Sequence, residues 1–279
     1  MESRTGSRTG AVPSSPWVFT DPPVVEAALG IQFSPLSGWA IPHFGLLWES
    51  YRQDFPAFED QMPLPPKTEV FDTSHRRGPS FELLSRPAAR CWFIDRDRGL
   101  LIQVQNGRFI QNWRKEKATK SYPKYEKTRS TFSRDWDRFT DFLKGQRLGD
   151  PLVQQCEITY VNHLEIEKGW QTLGDLKAVT PVLSEVSPGR LPSPEGVIFG
   201  SRYVLPEKRG RLYVQMQSAI GADGKELLLF TLTARGAPSS SQASDLLSWF
   251  DFGRTWIHEA FEGFVTPEMR VIWGGQKSR

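Results

Sequence analysis

The chain has 279 residues, with 35 Lys and Arg against 32 Asp and Glu for a net charge of +3, and it is 38% hydrophobic and 12% aromatic. That apolar content is enough to bury a core, which excludes whole-chain disorder. The near balance of charge excludes a histone-like polybasic protein, and no uncharged apolar run approaches the ~20 residues that span a bilayer, so no membrane span is expected. Residues 1–20 read as a disordered lead-in. Their first part is rich in Ser, Thr, Gly and Arg and has no apolar stretch of signal-peptide kind. Val25, Ala27, Leu29, Ile31 and Phe33 fall at period two and predict a strand, ended by Pro35 and Gly38. Phe44, Leu47, Tyr51, Phe55 and Phe58 recur at spacings of three and four, which predicts a helix stopping near Pro56.

Residues 67–71 and 80–84 read as short edge strands within a Pro-rich, charged stretch. Strands are expected at 91–94 and 100–105. Asn106-Gly107 is the strongest hairpin signal in the chain, with 109–114 as the returning strand. Phe132, Trp136, Phe139 and Leu143 place a long helix over 125–143, closed by Gly145 and Gly149. After Asp150-Pro151 the pattern restarts. Cys156, Ile158 and Tyr160 alternate with polar residues as a strand, and a helical turn is expected at 170–176. A meander of strands follows at 197–205, 212–219 and 226–234. Ser244 is the expected N-cap of a last helix bearing Leu246, Phe250, Ile257, Phe261 and Phe264 on one face. Val271-Ile272-Trp273 reads as a final strand or an apolar plug.

The two stretches 21–149 and 150–279 share an order of strand, helical segment, antiparallel strands and long helix. Ile102-Gln103-Val104-Gln105 is echoed by Val214-Gln215-Met216-Gln217. The expected fold is therefore α+β: two similar β-α-β-β(-β)-α halves forming an antiparallel sheet, with the long helices packed on one face.

Chemical motifs are sparse. Four scattered histidines, His43, His75, His163 and His258, lack metal-ligand spacing, and His258-Glu259 lacks the second His of a zincin helix. There is no nucleophile elbow, no P-loop and no dinucleotide fingerprint, so neither a cofactor nor a catalytic set is expected. Cys91 and Cys156 are too few for a disulfide framework and sit in strand-like runs, which fits buried packing and a reducing, cytoplasmic setting. The one local anomaly is 108–129. Arg108, Arg114, Lys115, Lys117, Lys120, Lys124, Lys127 and Arg129 face only Glu116 and Glu126, a local +6 that leaves −3 for the rest. Trp113, Tyr122 and Tyr125 are interleaved. Cations release counterions from phosphates and rings stack on unpaired bases, so these eleven basic and aromatic residues form a candidate nucleic-acid-binding set. A solvated hairpin end with inward rings is the competing reading. Gly253, next to Arg254, is expected to mark a close approach of the last helix to the sheet.

Several stretches carry a resemblance. They are Pro22-Pro23-Val24-Val25-Glu26-Ala27, then Leu101-Ile102-Gln103-Val104-Gln105 running to Arg108-Phe109 and Asn112-Trp113-Arg114, then Tyr122-Pro123-Lys124-Tyr125. Glu157 through Asn162, Leu232-Thr233-Ala234-Arg235-Gly236 and the ending from Gly253-Arg254 to Trp273-Gly274 belong to the same pattern. On these, the chain resembles a sporadically distributed family of prokaryotic proteins of about this length that has no assigned activity. The resemblance implies no catalytic residues. Sporadic occurrence is typical of mobile genes. The expected function is thus a non-enzymatic binding or interaction protein, a phage-defence or toxin–antitoxin accessory contacting a protein partner or nucleic acid. The alternative is a small-ligand-binding protein or hydrolytic enzyme with a pocket between sheet and helices, where Glu157, His163 and Arg254 supply polar groups. A third reading is a homo-oligomer with part of its ten Trp at an interface; the oligomeric state is not encoded in any motif.

Overall fold

The computed structural model describes residues 17–71, 89–116, 121–221 and 223–277. Its elements in chain order are β1 (Trp17–Phe19), β2 (Val24–Phe33), α1 (Pro42–Tyr51), β3 (Ala57–Gln61), β4 (Arg90–Ile94), β5 (Leu100–Gln105), β6 (Arg108–Arg114), α2 (Tyr125–Gly145) and β7 (Val153–Glu165). Then come β8 (Ile198–Val204), β9 (Arg211–Ile220), β10 (Glu226–Gly236), α3 (Ala243–Phe264), α4 (Pro267–Ile272) and β11 (Gly275–Lys277), with short 3-10 turns between β7 and β9.

Nine strands form one antiparallel sheet in the order β3-β4-β5-β6-β2-β7-β10-β9-β8. The seam is the β2–β7 pair, where Leu29 faces Ile158 and Ile31 faces Cys156. On each side of it the same path is traced: a seam strand, then a meander whose last strand returns beside it, β6 next to β2 and β10 next to β7. The Gln echo falls on β5 and β9, which hold corresponding places in that order. In both strands the apolar residues are buried, Ile102 and Val104 in one and Val214 and Met216 in the other. The fold is α+β with an antiparallel sheet, as the pattern of elements requires.

All three longer helices cover one face of the sheet. Phe109 of β6 meets Phe132, Trp136 and Phe139 of α2 at ring-centroid distances of 6.0, 5.6 and 5.1 Å. Burying each such ring contributes roughly 2–3 kcal/mol. Helix α3 lies over β7, β10 and β9. Gly253 allows this approach: a Cβ there would meet Ile158 Cγ2 at 3.0 Å and Ala234 Cβ at 3.4 Å. The two helices are locked across the seam by Asp251, which accepts from the Tyr125 hydroxyl at 2.7 Å and from Arg129 Nε at 2.8 Å. Phe132 and Phe250 pack edge to face at 5.0 Å.

Five sequence expectations change. The first helix stops at Tyr51. Phe55 is buried in the turn that follows, while Phe58 stands exposed on edge strand β3, because Pro56 ends the helical run. Ser244 lies inside the first turn of α3; the cap position is Gln242, whose N–H is held by Ser240 Oγ at 3.1 Å. Residues 271–273 continue from a helix, α4, started by the Thr266 hydroxyl accepting from Met269 N, and only Trp273 is an inward plug. Trp17–Phe19 belongs to structure rather than to a disordered lead-in, because it pairs with Gly275–Lys277 as a ribbon. Residues 67–71 are extended but pair with no strand, for a reason given below. The expected strand at 80–84 and residues 1–16 lie outside the described residues.

Candidate functional site

At one end of the seam the sheet, the start of α2, the middle of α3 and β1 of the β1/β11 ribbon line a half-open cavity of about 340 Å³. This is near the lower end of the ~300–1,000 Å³ typical of small-molecule sites. Its floor is Val24 of β2, Tyr160 and Asn162 of β7 and Leu232 of β10. One wall is Tyr122, Lys124 and Tyr125; the other is Arg254, Ile257, His258 and Phe261 of α3, four residues that share one helical face. Trp17, Val18 and Phe19 form the roof, with the Phe19 ring edge-on to Phe261 at 5.4 Å.

The polar groups in this mostly apolar space are few and specific. Asn162 is 1% exposed. Its Nδ2 donates to the Phe230 carbonyl at 3.0 Å, which fixes the amide, and its Oδ1 has no partner. A buried acceptor left unpaired costs about 1–3 kcal/mol, and this oxygen is fully buried, closed off from the cavity by its neighbours. Beside it the Tyr122 and Tyr160 hydroxyls are 2.7 Å apart. Burial pushes both phenols up, Tyr160 far above its ordinary value, so both are neutral. Arg254 supplies the cation. Its guanidinium lies 5.4 Å from the Tyr125 ring centroid, and no carboxylate among the described residues forms an ion pair with it. One turn further along α3, burial and then the Arg254 charge bring His258 down to about 4, so it is a neutral imidazole at physiological pH. Its Nδ1 is 3.3 Å from Glu262 Oε1 but is not aligned for a hydrogen bond.

The wall also carries backbone strain. Lys124, next to the start of α2, has φ 65° and ψ 156°. That region is essentially reserved for glycine and costs a side-chain-bearing residue about 1–3 kcal/mol.

The sequence-derived candidates divide among three places. Arg254 lines the cavity, and Tyr122, Lys124 and Tyr125 line it too, with Lys124 at its exposed rim. Trp113 is 3% exposed and packs behind Tyr122 at 5.4 Å. With these three rings turned inward, none presents a free face for stacking on a base. Arg108 and Arg114 leave β6 on the side away from the helices, Arg108 against Gln32 and Arg114 over the Trp92 ring. Lys115 and Lys127 are exposed, and Arg129 is paired with Asp251. Lys117 and Lys120 lie outside the described residues. Glu157 and His163 do not reach the cavity. They are odd-numbered residues of β7, and strand alternation sends them to the face opposite Tyr160 and Asn162; Glu157 there accepts from Arg235. Sequence reasoning passed over Tyr160, Asn162 and Phe19 as site residues. The available signal was Asn162 itself, a polar residue in the otherwise apolar series Cys156, Ile158, Tyr160 and Leu164.

Cys91 and Cys156 are buried free thiols, and burial holds Cys91 at about 12. Among the described residues no cluster of three or more His, Cys, Asp or Glu could hold a metal ion, and no helix is long and apolar enough to cross a membrane. Protein-family models, curated proteins and solved structures were all compared with this chain, and none matches it.

Proposed function

We propose that this protein binds a small molecule in the cavity beneath the β1/β11 ribbon. The ligand is flat and largely apolar, and it carries one acidic group. The observation that carries this reading is Arg254, a cation without a carboxylate partner among the described residues, set in the wall of a mostly apolar pocket of small-molecule size. The Phe19, Phe261 and Leu232 side chains cover the apolar body, and Arg254 receives the acid. At the rim Lys124 adds a positive charge and Glu126 a negative one. The strained Lys124 backbone supports the same place, since strain of this kind collects at ligand clamps.

The test is titration calorimetry with small aromatic acids, indole-2-carboxylate and 4-hydroxybenzoate among them. Binding is expected for the wild-type chain, to be weakened at least tenfold in Arg254→Met, and to be absent in Leu232→Trp, which fills the space. Equal binding by the wild type and the filled variant would refute the site.

Contact with a protein partner is the second reading. It is favoured by the polar face of the sheet described next. On this view the resemblance to a sporadic prokaryotic family, and with it a defence or toxin–antitoxin accessory role, stays a proposal about context. The nucleic-acid version draws support only from the exposed Lys115, Lys124 and Lys127.

A further inference from the structure

The face of the sheet away from the helices is polar, and residues 62–71 cross it. Met62 O accepts from Arg90 of β4 at 2.7 Å. Leu64 N and O are both held by the Gln105 amide of β5, at 2.9 and 3.0 Å. Pro65 O takes Arg108 of β6 at 3.2 Å, and Lys67 N donates to Gln32 of β2 at 3.1 Å. Gln155 of β7 accepts from Glu69 N at 2.9 Å and donates to Lys67 O. Val70 O accepts from Arg211 of β9 at 2.7 Å. The segment thus advances across the strand order from β4 to β9, perpendicular to the strands. Six strand spacings of ~4.8 Å make ~29 Å, about what the eight residue steps from Met62 to Val70 cover in an extended chain. This is why 67–71 is extended yet is not a strand: its backbone meets side chains, not a parallel or antiparallel backbone.

The manner of holding resembles peptide recognition more than loop packing. No backbone–backbone hydrogen bond ties 62–71 to another described residue. Its apolar side chains give little anchorage, with Met62 82% and Val70 49% exposed. Only two strap side chains are read specifically. The Glu69 carboxylate, 6% exposed, takes Arg211 at 2.6 Å, Tyr213 at 2.6 Å and Arg235 at 3.1 Å, and the Phe71 ring lies under the Arg211 guanidinium at 4.4 Å. Without the strap, Arg108, Arg211 and Arg235 would face the single carboxylate of Glu157.

We propose that this face is a reading groove for an extended segment of a partner protein that carries an acidic residue followed two positions later by an aromatic one. The strap is its resting occupant. Glutamine and arginine side chains read the partner's main chain whatever its sequence, and the Arg211–Tyr213–Arg235 group selects the acid. The proposal is independent of the cavity, which lies on the other face.

The experiment uses the full chain and a fluorescent peptide of residues 62–71. In Glu69→Ala/Phe71→Ala the tethered strap loses its two specific contacts, so the peptide is expected to bind this variant at least tenfold more tightly than the wild type, read by anisotropy. Adding Gln155→Leu and Arg235→Met to that variant should abolish binding, as should alanine at the glutamate of the peptide. A folded strap-released variant that ignores the peptide overturns the proposal and leaves the strap a structural staple. Hydrogen exchange on the wild type supplies a second reading should that variant fail to fold. The amides of Leu64, Lys67 and Glu69 are expected to exchange at least a hundredfold faster than those of β2 and β7, as an occupant that leaves on its own requires. Exchange at the rate of the global core would equally overturn it.

Discussion

Replacing Asn162 by Leu tests the cost of its buried, unpaired acceptor. The two side chains have similar shape, so the change is mainly chemical. It removes an acceptor that is buried and unpaired, which relieves about 1–3 kcal/mol of desolvation cost. It also removes the bond from Nδ2 to the Phe230 carbonyl, a loss of about 0.5–1.5 kcal/mol. Apolar burial at a position 1% exposed adds a smaller gain. The balance favours the variant by about 1 kcal/mol, or a rise in Tm of about 2–4 °C in a chain of this size. Far-UV circular dichroism during a thermal scan reads the stability. A stability loss of 1 kcal/mol or more would refute the reasoning, because it would mean that the folded protein already satisfies Asn162 Oδ1.

Other consequences of the same geometry can be measured. The unfolded chain protonates His258 near 6.5 and the folded chain only near about 4, so below 6.5 the unfolded state holds more protons. Stability should therefore be full above pH 6.5 and fall as pH drops towards 4, by up to about 3 kcal/mol from this residue; urea unfolding of His258→Leu across that range should show a flatter acid limb. Lys124→Gly relieves about 1–3 kcal/mol of strain against about 0.5–1 kcal/mol of added chain entropy, so urea unfolding should show a gain of about 1 kcal/mol. Gly253→Val drives a side chain into Ile158 and Ala234 and should cost about 1–3 kcal/mol by the same assay. The thiols of Cys91 and Cys156 should resist a thiol reagent in native buffer and react fully in urea, since both are buried and protonated.

Local pattern explains why most of the fold was legible. Period-two alternation in 25–33 and the Asn106-Gly107 turn specify their strands by short-range sterics and burial, and the aromatic series of 132–143 does the same for α2. The misses fall where a distant partner decides. Trp17–Phe19 is a strand only because Gly275–Lys277 lies beside it, and a three-residue run cannot announce that. Residues 67–71 have strand composition, but their hydrogen bonds come from side chains on four strands, β2, β7, β9 and β10. The basic stretch 108–129 shows the same limit at the level of function. Its charge is countable in sequence, yet strand alternation on β6 and the entry into α2 send its members to opposite faces and turn its rings inward.

The sequence by itself determined the fold class, the buried cysteines and the candidacy of Arg254, because each rests on composition or on contacts a few residues apart. Only the tertiary structure decided where the candidate site lies. Asn162, Tyr160, Tyr122, Arg254, His258 and Phe19 converge from three elements and one connecting segment that are up to 239 positions apart in the chain. The unpaired state of Asn162 Oδ1 is a property of everything around it, and no window of sequence contains that information.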